Sequence, residues 1–403
     1  MELGFLPDLP AALDAPALFG ALLLAGLLVG EGVRRWLGLP RITGYVLAGV
    51  LLGPRASGLL GPGALDEARV LIDLSLGLIV FELGHRLDFQ WLRRNRWLYA
   101  AAIAESVVCF AAIHVALLAF GFAPLLSASA AAIGTATSPA VVLLVAHELR
   151  AAGQVTERML LFTAVNCVFA YVTLTLLLPF LHLEHEMDWP EALLHPLYIL
   201  GGSALAGFVA CLLMLWVARW VGKREDRQFI LLVALVVLAV GLARALHLSV
   251  VVTLITAGLL ARNLDRHHVL LPLRFGYGGQ LFFVVLFVLT GASLQLGALP
   301  AAFAAAGSFI LARFLGKGLA VLSFAPLSGM RPGAAGWLTV SLLPMSGLAV
   351  VMVLDTTAMY PQFGAELAAV VLSAAAVLEL FGPIATQFAL QRVGEADPAA
   401  TEA

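Results

Sequence analysis

Apolar stretches of roughly 20 residues, the length a helix needs to cross a bilayer, recur along the whole chain. That recurrence limits the fold more than any motif does. Strands do not fit it, because the runs far exceed about 10 residues and lack period-two polarity. Hydrophobic residues make up 62% of the 403 and charged ones 12%, whereas soluble domains carry about 25% charged residues. Much of the surface must therefore face a non-aqueous solvent. The fold class is an all-α polytopic membrane protein with about thirteen spans. They are expected near 15–33, 41–60, 68–87, 97–120, 126–149, 157–181, 194–220, 226–246, 248–264, 275–296, 301–325, 333–354 and 364–391. Only Ala245, Leu246 and His247 divide the eighth from the ninth. The first apolar segment lacks a basic n-region and reads as an ordinary span rather than a signal peptide.

Basic residues test this count. With the N-terminus outside and sides alternating, only Arg55, Arg69 and Arg244 fall outside, and Arg313 and Lys317 lie within a span. All other lysines and arginines fall inside, as the positive-inside rule demands. The expected location is the cell (inner) membrane, with a cytoplasmic C-terminus. A net charge of −2 points to no polyanionic partner, so no nucleic acid is expected. Cys109, Cys167 and Cys211 sit in apolar runs and suggest neither a disulfide framework nor a metal site. No cofactor motif is evident. An enzyme is the least supported class, since the spans hold no Ser–His pair at matched depth, no His-x-x-x-His helix and no paired aspartates.

An odd span count divides into two halves of opposite orientation around a linker, the arrangement of many secondary transporters. The expected organisation is a membrane domain over 1–392, with a first repeat at 15–181, a linker helix at 194–220 and an inverted repeat at 226–391. A disordered tail would follow at 393–403. One internal echo supports the division. The fifth span reads Gly134-Thr-Ala-Thr-Ser-Pro-Ala-Val-Val142, and its counterpart reads Leu343-Pro-Met-Ser-Gly-Leu-Ala-Val-Val351. Each places Pro beside hydroxyl side chains at mid-membrane depth, and Pro disrupts a helix locally. Paired interruptions point to a transporter's substrate site; the plainer reading is two harmless kinks.

Ionisable groups at bilayer depth usually mark pathways. Lys317 lies too deep to snorkel easily, and Arg313, one turn away on the same face, would repel it unless an acid or oriented carbonyls intervene. A structural Lys bonding the broken helices is the alternative. The buried acids are Asp73, Glu82, Glu105 and Glu379. A carboxylate deprived of water can bind either a proton or a metal cation near neutrality. Glu105 is the first choice for that role. Glu82 lies nearer the inner rim, where His85 and Arg86 are placed to neutralise it, and Glu379 is placed to cap or bridge helices. The His182–Asp188 segment reads as a solvated acidic loop and His267-His268 as a surface pair.

Several of these residues resemble a known family. Arg41-Ile-Thr-Gly-Tyr-Val-Leu-Ala-Gly-Val-Leu-Leu-Gly-Pro54 is similar to the second-span signature of the monovalent cation:proton antiporters, the branch holding bacterial sodium/proton exchangers and potassium efflux systems. Phe81-x-x-Gly84-x-x-x-Asp88, Thr137-Ser-Pro139, Lys317 and Leu378-Glu-Leu-Phe-Gly-Pro383 follow in the family's order. The resemblance covers about residues 15–392. It implies two crossed, broken helices, at 134–140 and 343–348, in a mobile core domain that moves against a dimerisation domain. It also implies a homodimer, Na+ or K+ and H+ as substrates, and an ion pathway through Thr137, Ser138, Asn166, Cys167, Lys317 and Ser346. Two departures stand out. The family's sixth-span carboxylate is Cys167 here, in Val165-Asn166-Cys167-Val168, and the Thr-Asp-Pro of many sodium-selective members is Thr-Ser-Pro. A thiol is a poor ligand for a hard cation, and without that Asp Lys317 loses the counter-charge the family supplies.

The leading expectation is a proton-coupled Na+ or K+ exchanger whose proton-binding acid is Glu105, with Asn166, Thr137 and Ser138 supplying neutral oxygens. Two rivals stand beside it. One is an anion or organic-acid transporter using Lys317 and the helix N-termini. The other is a non-transporting sensor or partner that has lost its ion site.

Overall fold

The computed structural model describes residues 15–54, 56–183, 189–265, 269–270, 277–294, 299–345, 347–359 and 361–401, and among them there is helix but no strand. Residues 184–188, His267, His268 and Ser346 lie outside the described residues. The first half of the chain runs α1 (Ala15–Leu37), α2 (Arg41–Leu52), α3 (Pro62–His85), a short α4 (Phe89–Arg94), α5 (Arg96–Ala119), α6 (Pro124–Thr135), α7 (Pro139–Glu148) and α8 (Gln154–Leu183). After α9 (Trp189–Val221) come α10 (Glu225–Ala245), α11 (Val250–Leu264), α12 (Tyr277–Ser293), α13 (Leu299–Phe324), α14 (Pro332–Ser341), α15 (Gly347–Met359), α16 (Pro361–Arg392) and α17 (Pro398–Thr401). Among the described residues, eight helical segments are long and apolar enough to cross a membrane by length and composition, the α6–α7 pair counting as one.

The apolar runs of the sequence are mainly helical where they are described, and the interruptions have local causes. The second run stops at Leu52, because Gly53 turns to extended backbone before Pro54; the residue before a proline is steered away from helix. At 1.5 Å per residue α2 covers only about 18 Å. Between α10 and α11 the chain turns at His247, whose φ of 53° is left-handed, and Ser249 caps α11 by accepting from Val252 N at 3.1 Å.

The helices pack in two groups. One is a panel of α1, α2, α3, α9, α10, α11 and α12; the other is a bundle of α5, α6, α7, α8, α13, α14, α15 and α16. Small residues of the sequence motifs let the panel close up. A Cβ at Gly49 would lie 2.0 Å from Val288 O of α12. Gly84 of α3 meets Gly258 of α11 in reciprocal fashion: a Cβ on the first would sit 2.4 Å from Ile255 O, and one on the second 2.1 Å from Phe81 O. The same motif ends on Asp88, which pairs with Arg262 at 3.4 Å. Its spacing thus encodes one helix–helix seam.

Panel and bundle are tied at the rim rich in basic residues. Glu148, at the end of α7, accepts from Arg41 N at 3.3 Å and pairs with Arg34 and Arg41 at 3.8 and 3.4 Å. Glu82 pairs with Arg86 at 2.8 Å and lies 3.6 Å from His147 of α7. His85, expected beside Glu82, instead stacks on Phe81. At the opposite rim a cavity of about 370 Å³ lies between the groups, lined among others by Asp73 and Arg244 of the panel, which pair with each other, and by Tyr171 and Asp355 of the bundle.

The segment after Arg392 differs from the disordered tail its composition suggested. Glu395 accepts from Val155 N (2.8 Å), Thr156 N (2.7 Å) and Thr156 Oγ1 (2.8 Å). Those amides belong to the first turn of α8 and lack intrahelical partners. Asp397 N donates to Leu149 O at 2.9 Å, and Ala152 N to Glu395 O at 3.0 Å. Composition could not show this, because the acceptor comes from one end of the chain and the donors from its middle. Glu395→Ala should remove the cap and cost about 1–2 kcal/mol, read as a lower melting temperature in detergent; an unchanged melt would show the tail to be incidental.

Candidate functional site

Two breaks meet at the centre of the bundle. In the first, Thr135 ends α6, Ala136 to Ser138 run extended, and Pro139 opens α7. In the second, α14 ends at Ser341 and α15 begins at Gly347. The prolines cause both breaks, since each disfavours helix at the residue before it. Ser138 N donates to Pro344 O at 2.9 Å and Thr137 Oγ1 to Leu342 O at 3.4 Å, which joins the breaks directly. Ser138 Oγ caps α7 by accepting from Val141 N at 3.3 Å.

The carbonyl ends of α6 and α14 carry the negative ends of their half-helix dipoles and lack intrahelical donors. Arg313 of α13 supplies donors to both. Its Nε donates to Gly134 O (2.8 Å), Nη1 to Leu343 O (2.7 Å), and Nη2 to Ala136 O (2.9 Å) and Pro344 O (3.3 Å). The guanidinium is fully buried. These carbonyls absorb the charge that would otherwise repel Lys317 one turn along the helix.

Lys317 is paired with Glu105. Its Nζ lies 2.5 Å from Glu105 Oε1, 3.1 Å from Thr135 O and 3.2 Å from Thr137 Oγ1. The ammonium therefore occupies a cradle of three oxygens: a carboxylate, a carbonyl and a hydroxyl. Both charged side chains are at most 1% exposed. Close packing of α13 on α5 brings them together, for a Cβ at Gly316 would lie 2.9 Å from Cys109 Cα. The counter-charge of Lys317 thus comes from α5.

Asn166 braces this pair. Its Nδ2 donates to Thr137 Oγ1 at 3.0 Å and to Glu105 Oε1 at 3.4 Å, while its Oδ1 accepts from Ser106 Oγ at 2.8 Å. Among the described residues Glu105 Oε2 has no hydrogen-bond partner. Cys167 is fully buried, with its thiol donating to Thr137 O at 3.4 Å.

Among the candidates, Glu105, Thr137, Asn166, Cys167 and Lys317 converge at the first break, and Ser138 belongs to the crossing but serves as a helix cap. Glu82 lies apart at the basic rim, Glu379 sits on α16, and Ser346 is outside the described residues. The sequence reading missed Thr135 and Ser106, and it called for oriented carbonyls around Arg313 without naming which. The i, i+4 spacing of Arg313 and Lys317 was the available signal for the clamp; nothing local marks a carbonyl or a lone serine.

A bundle built on two crossed broken helices, with a charged pair buried at the crossing and a separate panel alongside, defines a secondary transporter. The sequence matches the family described as sodium/hydrogen exchanger, transmembrane, over residues 20–392. The chain belongs to that family of multi-pass cation/proton antiporters. No curated protein matches the sequence. Two solved structures are similar in fold, both of the sodium proton antiporter MjNhaP1 from Methanocaldococcus jannaschii. The structure at pH 8 aligns at a TM-score of 0.65 and 16% identity, covering 94% of this chain and 95% of that one. The electron-microscopy structure aligns at 0.70 and 17%, covering 95% and 99%.

Proposed function

We propose that this protein exchanges a monovalent cation, Na+ or K+, for protons, with Glu105 as the fixed negative charge of the ion site. The observation that carries this reading is the cradle around Lys317 Nζ. The three oxygens that hold the ammonium, from Glu105, Thr135 and Thr137, form a hard-oxygen set that suits a monovalent metal cation better than a transition metal. When such a cation enters, Lys317 gives its proton to water and withdraws; when the cation leaves, Lys317 is reprotonated and returns. One positive charge replaces another against Glu105, so this step is electroneutral. Asn166 keeps Thr137 and Glu105 oriented in both states. The same pairing weighs against an anion as substrate, because the charge of Lys317 is already matched.

The bundle would carry this site past the panel, breaking and remaking the ties of Glu148 and His147, as two inverted repeats alternating access from the two sides. A homodimer in the cell's inner membrane, N-terminus outside and C-terminus cytoplasmic, completes the proposal. The test is proton flux in proteoliposomes, read by a pH dye during stepwise additions of Na+, K+ and Li+. Flux evoked by Na+ or K+ is expected, and the response series identifies the ion. A protein that is folded yet moves no proton with any of the three would sink the reading.

A further inference from the structure

Glu379 is fully buried in α16, and among the described residues neither of its carboxyl oxygens has a hydrogen-bond partner. Its register relates it to the crossing. A Cβ at Gly382 would lie 2.7 Å from Pro344 Cα, and Thr386 Oγ1 donates to Ser341 O at 3.1 Å. Residues 379, 382 and 386 follow the spacing of one helix face, so Glu379 belongs to the face of α16 turned toward the second break. The start of α15, the positive end of that half-helix, lies beside the same break.

The elements packed on α16 are α2, α6, α7, α13, α14 and α15. They bring Arg41 and Tyr45 from α2, His147 and Glu148 from α7, Arg313 and Lys317 from α13, and Asp355 from α15; α6 and α14 bring no titratable side chain. None of these pairs with Glu379. Arg313 is held by four carbonyls, Lys317 by Glu105, Arg41 by Glu31 and Glu148, and His147 by Arg86. An ionised carboxylate cannot persist unpaired in such a place, and a group so buried is neutralised instead. A neutral carboxyl beside a break that must rearrange is a stored proton.

We propose that Glu379 is a second proton-binding residue of the bundle, protonated in this conformation and releasing its proton when the crossing rearranges. The functional part rests on the exchange reading above. Release leaves a carboxylate at Glu379 and hands the proton to water; reprotonation from the opposite side closes the cycle. This proton adds to the one leaving Lys317, so exchange becomes electrogenic, with one more proton than cation moved per cycle.

Two measurements test it. The first needs no transport: an infrared difference spectrum of wild type against Glu379→Gln, recorded across pH. The expected result is loss of a protonated carboxylic-acid carbonyl band in the variant, and conversion of that band to a carboxylate as pH rises in the wild type. A carboxylate band at every pH, or an acid band that never titrates, would overturn the inference. The second is exchange in proteoliposomes under a clamped membrane potential. Wild-type flux should respond to the potential, Glu379→Gln should exchange without responding, and Glu379→Asp should respond again. Equal responses in wild type and Glu379→Gln would also overturn it. A silent wild type would instead remove the exchange reading, leaving the infrared spectra to decide on the proton.

Discussion

Glu105→Gln is expected to abolish cation-evoked proton flux, to the level of liposomes without protein. The substitution keeps the shape of the side chain and removes the charge facing Lys317 at 2.5 Å. Breaking a buried ion pair by removing one partner costs about 3–5 kcal/mol, because the remaining charge is left uncompensated. Without that charge the cradle would hold neither an ammonium nor a metal cation with any strength.

The rescue is more informative. Cys167 donates to the carbonyl of Thr137, whose hydroxyl also contacts Lys317. A carboxylate at 167 therefore enters the same cluster from α8 instead of α5. Glu105→Gln combined with Cys167→Asp should recover part of the flux, measured in the same liposome assay. A fully active Glu105→Gln single variant would show that the fixed charge lies elsewhere. A double variant that folds but stays silent would show that the α5 position itself, and not the charge alone, is required.

Arg313→Met should fail at the level of folding. It strands the carbonyls of Gly134, Ala136, Leu343 and Pro344, which receive all four hydrogen bonds of the buried guanidinium. Hydrogen bonds with a charged partner contribute about 1.5–3 kcal/mol each, and the effects are not additive, so a loss of several kcal/mol is expected. That is a large share of a total stability of about 5–15 kcal/mol. Arg313→Lys keeps the charge but offers three donors on a flexible stem in place of a planar fork, so it should be intermediate. Yield of monodisperse protein and melting temperature in detergent check both. An Arg313→Met protein that melts with the wild type would mean that water or backbone rearrangement satisfies the crossing without the guanidinium.

Much of the architecture was legible in the sequence because its causes are local. Apolar runs became helices, Pro139 and Pro344 broke two of them, and the small residues of the second- and third-span motifs marked seams where backbones touch. The two Pro-containing segments mark the breaks that the fold then joins. Glu105 could be singled out by depth alone. The tail was misread for an equally physical reason: Glu395 and Asp397 look like solvated residues until the α8 amides and the α7–α8 turn are placed beside them.

By itself the sequence determined that the chain is a bundle of membrane helices with two of them interrupted, because hydrophobic length and proline act within a single helix. It also showed that a basic residue lies deep in α13 and that a thiol, Cys167, follows Asn166 in α8. Only the tertiary structure decided what those facts mean. Lys317 and Glu105 are 212 residues apart, and their contact depends on how closely α13 lies on α5, which no periodicity encodes. The same packing gave Arg313 its four carbonyls and left Glu379 without a hydrogen-bond partner among the described residues. Burial makes each pairing decisive, because away from water a charge must find its partner within the protein or cease to be a charge.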